Sequence, residues 1–200
     1  MDLSAYQGLI FDMDGTLIDS MPAHVQAWKK TCELYEIPFD EKWFYSLGGM
    51  PTIKTAQAIN HRYHQNLDTK RLANTKSEFF ETLDFKGGVI PSTYQILVDN
   101  KPSKKIAVGT GCRQMNALPL LDEARILPLL DALVTADDVD NHKPNPDTFL
   151  QAAMRIGLDP QHCLVFEDTE LGKTAALAAG MDCVLVVDGE ITTLTKANNH

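Results

Sequence analysis

The run Leu9-Ile10-Phe11-Asp12-Met13-Asp14-Gly15-Thr16 ends an apolar stretch abruptly in two carboxylates one residue apart, followed by Gly and Thr. Asp and Gly are also common turn formers, so the bland alternative is a solvated surface loop. Position favours chemistry over that alternative. Open α/β sheets bind their ligands at the carboxyl ends of strands, and this doublet stands at such an end.

The elements that must hold the doublet follow from the pattern around it. Five short apolar runs, Gly8 to Phe11, Lys105 to Val108, Ala132 to Val134, Cys163 to Phe166 and Cys183 to Val187, are aliphatic with little alternation. Parallel strands covered on both faces read this way. Helical periodicity separates most of them. From Asn145 to Gly157, residues Phe149, Leu150, Ala153, Met154 and Ile156 form an apolar stripe that Gly157 closes. From Thr169 to Gly180 the pattern repeats, with Thr169 placed to cap the helix start. The expected fold is α/β, a Rossmann-like three-layer core around a parallel sheet.

Between the first two strands, Pro22 to Tyr35, Glu41 to Leu47, Thr52 to Tyr63 and Thr69 to Leu83 read as amphipathic helices with no strand among them. This is far longer than a crossover requires, so residues 20–85 are expected to form an inserted helical cap, with 1–19 and 86–200 making the catalytic core. Asp19-Ser20 and Gly87-Gly88 are its expected hinges.

Composition narrows the partners. In 200 residues, 18 Lys and Arg oppose 27 Asp and Glu, a formal charge of -9, and the densest basic stretch is the three lysines between Lys101 and Lys105. Such a chain repels nucleic acid and anionic membrane. No apolar run approaches the roughly 18 residues of a membrane helix, and the amino terminus lacks a secretory pattern, so a soluble cytoplasmic protein, compatible with a monomer, is expected. Cys32, Cys112, Cys163 and Cys183 are scattered without a CxxC pair and read as reduced thiols.

The doublet resembles the first motif of the haloacid dehalogenase-like phosphotransferase superfamily, and three further motifs follow in order. Ile106-Ala107-Val108-Gly109-Thr110-Gly111 supplies the expected Thr at a strand end, His142-Lys143-Pro144-Asn145-Pro146-Asp147 the Lys, and Val165-Phe166-Glu167-Asp168 the terminal acidic pair. Together they span about residues 8 to 188. The acidic pair followed by Gly172 has the form used in the branch of β-phosphoglucomutases and sugar phosphatases. Bacterial fructose-1-phosphate and 6-phosphogluconate phosphatases are the most similar group, sharing the Val-Gly-Thr-Gly turn and the His-Lys-Pro-x-Pro-Asp-Thr-Phe-Leu run.

The resemblance implies that Asp12 attacks phosphorus and that Asp14 acts first as acid and then as base. It implies Mg²⁺ held by Asp12, Asp168 and the Asp14 backbone carbonyl, with Glu167 direct or through water. Crowded carboxylates facing a dianionic phosphate need such a hard cation. Lys143 would neutralise phosphoryl oxygens, and Thr110 with the Gly111 amide would hydrogen-bond them. The partner implied is a small sugar phosphate.

In the insert, His24 and Trp28 stand four apart on one helix face. His24 is expected to face the substrate, whereas Trp28 is expected to pack between helices. Arg113 either meets a distal anionic group or is a surface residue at a helix start. Cys112 neighbours the site, but with Asp12 as nucleophile a catalytic thiol is not expected. The cap turn Ser46-Leu47-Gly48-Gly49-Met50-Pro51-Thr52 has Gly48 and Thr52 where the mutases carry basic residues. The reading is therefore a phosphatase, with β-phosphoglucomutase as one alternative and a catalytically silent binding protein as another.

Overall fold

In the computed structural model, which describes residues 1–197, six strands form one sheet in the order β3-β2-β1-β4-β5-β6. They are β1 (Gly8–Phe11), β2 (Lys105–Gly109), β3 (Ala132–Val134), β4 (Cys163–Glu167), β5 (Asp182–Val187) and β6 (Glu190–Thr195). The first five run parallel, and their bounds match the expected runs to within a residue.

β6 is a correction, because it pairs antiparallel with β5 and makes the sheet mixed. It reads Glu-Ile-Thr-Thr-Leu-Thr, too polar to stand out as a buried strand. The available signal was Asp188-Gly189, with φ of 51° and 77°, the Asp-Gly pair that tight hairpins favour.

Alternation along β1 shows how the layers are built. Leu9 and Phe11 face one apolar cluster with Ile106, Val108, Leu164 and Phe166, while Ile10 faces another with Ala107, Val165 and Phe149. Helices α7 (Asp147–Arg155) and α8 (Glu170–Ala178) cover the second face. The expected helix start at Asn145 moves to Asp147, with Pro146 at the N-cap. Two further core helices, α5 (Pro91–Asn100) and α6 (Gln114–Glu123), were not expected. Pro91 begins α5, where a proline is tolerated, and Pro119 interrupts the pattern of α6.

The insert folds as α1 (Met21–Leu34), α2 (Glu41–Ser46), α3 (Thr52–Arg62) and α4 (Thr69–Glu81). These helices share an apolar cluster of their own that includes Val25, Trp28, Phe44, Ile59 and Leu72. The two connections to the core touch: Asp19 N–H donates to the Gly88 carbonyl at 2.8 Å. Gly87 has φ of 130°, and any Cβ there would overlap the Asp19 carbonyl. Residues 198–200 of the expected core segment lie outside the described residues.

Candidate active site

Sheet register brings the motif residues to one edge. Phe11 is paired with Val108 on one side and Phe166 on the other, so Asp12, Thr110 and the pair Glu167-Asp168 all follow at the carboxyl end. The Asp12 amide extends the ladder to the Phe166 carbonyl at 2.9 Å, which fixes where its side chain starts.

Lys143 joins this group from the loop before α7. Its Nζ donates to Asp12 Oδ1 and to Glu167 Oε1, both at 2.6 Å, and all three side chains are buried. The other Glu167 oxygen accepts from the amide and hydroxyl of Thr169, whose Oγ1 in turn caps α8 by accepting from the Gly172 amide. Any Cβ at Gly172 would overlap the Glu167 carboxylate, so this acid needs a glycine beside it.

Asp12, Glu167 and Asp168 offer ligand atoms within 4.8 Å of one another. Asp12 Oδ2 and Asp168 Oδ1 are shut off from solvent with no hydrogen-bond partner, which is costly for a polar atom. Burial, joined by the charges of Glu167 and Asp14 and opposed by Lys143, pushes Asp12 up to about 7. Burial and the neighbouring Glu167 and Asp12 carboxylates push Asp168 up to about 9. Three hard oxygen donors with two orphaned atoms and excess negative charge fit a divalent cation such as Mg²⁺. The Asp14 carboxylate is outside this cluster.

Asp14 instead faces α1. Its Oδ1 accepts from Ser20 Oγ and pairs with His24 Nε2 at 3.1 Å. His24 Nδ1 lies 2.6 Å from Lys76 Nζ on α4, and the His24 ring stacks on Phe80 with centroids 4.3 Å apart. Burial and the Lys76 charge hold His24 below the usual range despite Asp14, so near neutral pH the ring is uncharged. The ammonium of Lys76 then donates to Nδ1 and Nε2–H donates to Asp14. Burial would raise Asp14, yet His24 and Ser20 together hold it below the usual carboxylate range.

Thr110 Oγ1 accepts from the Cys112 amide at 3.0 Å, leaving its own proton free for a ligand. Thr110, Gly111, Cys112 and Arg113 line a cleft with Asp12, Asp14, His24 and Lys76, closed on the other side by Gly48, Gly49 and Thr52. Gly111 approaches the Gly49 carbonyl so closely that a Cβ would come to 2.9 Å of it.

Residues 9–186 match the model of the haloacid dehalogenase-like hydrolase family. The chain belongs to that family. It is 41% identical to fructose-1-phosphate phosphatase YqaB of Escherichia coli, over 90% of this chain and 95% of the relative. It is 29% identical to β-phosphoglucomutase of Bacillus subtilis, over 92% and 84%. Among solved structures, β-phosphoglucomutase of Clostridium difficile superposes with a TM-score of 0.82 at 26% identity, covering 92% of this chain and 85% of that one. This haloacid dehalogenase-like hydrolase is a phosphoric monoester hydrolase with an α/β core.

Three expected residues take more specific places than the sequence suggested. Arg113 lines the cleft, but its Nε donates to Asp137 at 3.2 Å. Trp28 stacks on Phe44 within the apolar cluster of the inserted helices and also borders the cleft. Cys112 borders it too, with burial pushing its thiol well above the ordinary range, so it stays protonated.

Lys76 was missed. It is 3% exposed and falls on the apolar stripe of Leu72, Ala73 and Phe80, where a solvated lysine would not belong. That misplacement was a usable signal. Ser20 was read only as a hinge residue, and nothing in its spacing marks it as a partner of Asp14.

Proposed function

We propose that this hydrolase is a Mg²⁺-dependent phosphatase of small sugar phosphates, of the fructose-1-phosphate or 6-phosphogluconate type, acting through an aspartyl phosphate. The observation that carries the reading is the pairing of Asp12, one oxygen fixed by Lys143 and the other unpartnered, with Asp14 held nearby by a separate hydrogen-bond set. Residues 20–85 serve as a cap over the core formed by 1–19 and 86–200.

Asp12 Oδ2 attacks phosphorus, and the bond from phosphorus to the sugar oxygen breaks. Lys143 holds phosphoryl charge, and the Thr110 hydroxyl and Gly111 amide donate to phosphoryl oxygens. Asp14 gives its proton to the departing sugar oxygen. His24 can supply that proton from Nε2 while taking one from Lys76 at Nδ1, so a proton moves along the line without His24 changing net charge. Water then attacks phosphorus, Asp14 accepts its proton, and phosphate leaves Asp12. A bound Mg²⁺, held by Asp12 and Asp168 with the Asp14 carbonyl and Glu167 in support, would neutralise charge on the transferring group.

The cleft holds only about 70 Å³, so the cap must open to admit a hexose phosphate. With Gly48 and Thr52 at its turn, the cap has no charged side chain there to clamp a second phosphate electrostatically, which favours hydrolysis over mutase chemistry. The identity to a fructose-1-phosphate phosphatase supports the same choice. Small molecules rather than nucleic acid or membrane are the proposed partners, and action in the cytoplasm as a monomer is part of the same reading. Among the described residues no helix is long and apolar enough to cross a membrane.

The test measures phosphate and glucose-6-phosphate on the same sample. Net phosphate from fructose-1-phosphate or 6-phosphogluconate is expected, with little isomerisation of β-glucose-1-phosphate even when β-glucose-1,6-bisphosphate is added. Isomerisation outrunning phosphate release would make the protein a mutase.

A further inference from the structure

Asp12 and Asp168, two members of one acidic cluster, border two different cavities. Asp12 lines the substrate cleft, where Lys76 and Arg113 stand beside the carboxylates of Asp12 and Asp14. Asp168 lines a second cavity of about 640 Å³ that also contains Asp19, Asp188 and Glu190. No Lys, Arg or His lines that cavity among the described residues.

The second cavity is a built feature. Its acidic rim stands on the tight β5–β6 hairpin, and Ser92 Oγ donates to the Gly189 carbonyl at the tip, tying the hairpin to α5. Gly15 forms part of the wall, and any Cβ there would overlap Asp168 Oδ2, so contact with this carboxylate depends on a missing side chain. Asp168, the cluster member that borders this cavity, carries a buried oxygen, Oδ1, with no hydrogen-bond partner.

We propose that the divalent cation reaches its ligands through this second cavity, while the phosphate ester uses the cleft under the cap. A cavity lined by one sign of charge concentrates the opposite ion and speeds its arrival. In the cleft Lys76 and Arg113 offset Asp12 and Asp14, so it offers a cation no comparable excess of negative charge. Asp19, Asp188 and Glu190 therefore steer the cation without ligating it, and metal and substrate can load in either order. This rests on the reading of the protein as Mg²⁺-dependent.

The experiment uses the full chain stripped of metal by chelation. Mn²⁺ calorimetry first measures equilibrium binding, and stopped-flow competition with a fluorescent chelator gives Mg²⁺ association and dissociation rates. Asp188→Asn combined with Glu190→Gln should slow association about tenfold at low ionic strength. The difference should vanish near ~1 M salt, where screening acts within about 3 Å. Dissociation, and turnover at saturating Mg²⁺, should stay at wild-type values. Arg113→Gln should associate with Mg²⁺ at the wild-type rate. Wild-type association in the double variant, or faster association in Arg113→Gln, overturns the route while leaving the metal reading intact. Absence of Mn²⁺ binding to the wild-type protein removes both.

Discussion

Lys76 Nζ lies 2.6 Å from His24 Nδ1, joining a buried lysine of the cap to the histidine that holds Asp14 of the core. The contact spans 52 residues of sequence and completes the line of groups that, in the proposed mechanism, would carry a proton to the leaving group.

That line predicts a basic limb in the pH dependence of turnover. Burial brings Lys76 down to about 8, so it carries its proton below that pH and loses it above. The turnover number should fall as pH rises through about 8. In Lys76→Met it should be lowered about 100-fold at pH 7, the low end of an acid–base contribution, and the limb near 8 should disappear. A pH profile of kcat on both proteins checks this; an unchanged limb in the variant would remove Lys76 from the line. As Lys76 is argued to act through His24, it is a positioning residue.

The same burial has a stability consequence. The folded state binds this proton less tightly than the unfolded state, whose lysine titrates near ~10.4. Between about 8 and ~10.4 the unfolded chain therefore holds more protons, and the contribution of Lys76 to stability rises with pH in that window. Below pH 8 the folded protein carries the full cost, on the order of 3 kcal/mol. Lys76→Met should thus be more stable than wild type at pH 7 and lose that advantage by pH 10, as read from urea unfolding. An advantage that grows with pH would contradict the assignment.

How much of this was legible depends on where each signal lay. Asp12, Thr110, Glu167 and Asp168 sit at or beside strand ends whose apolar runs are plain, and Lys143 stands in a Lys-Pro loop just before a helix, so both the fold and the acidic centre could be read along the chain. β6 was lost because an edge strand with a solvated face carries little apolar signal. Lys76 was lost because its meaning comes from a helix face packed against a distant histidine, which one helix alone does not reveal. The Asp137 partner of Arg113 lies 24 residues away and has no sequence mark.

Asp14 should matter in proportion to the leaving group. Asp14→Asn should slow hydrolysis of a sugar phosphate at least 100-fold and that of p-nitrophenyl phosphate much less in the first step, because nitrophenolate departs without a proton. Burst amplitudes separate that step from hydrolysis of the intermediate. Equal losses in the first step for both substrates would argue against acid catalysis.

Gly172→Ala tests the seat of Glu167. A methyl group there displaces the carboxylate that Lys143 and Thr169 hold, so Mn²⁺ affinity by calorimetry should fall at least tenfold with little change in far-ultraviolet dichroism. Wild-type affinity would show that Glu167 plays no part in holding the cation.

The central claim is that Asp12 carries the phosphoryl group between sugar and water. Rapid acid quench of the enzyme turning over a ³²P-labelled sugar phosphate, followed by peptide mapping, tests it most directly. The account predicts a hydroxylamine-labile phosphoryl label on Asp12, formed and lost at rates compatible with turnover, and neither label nor turnover in a folded Asp12→Asn protein. Near wild-type phosphate release by that variant, or a label on Thr110 or Cys112 in place of Asp12, would contradict it.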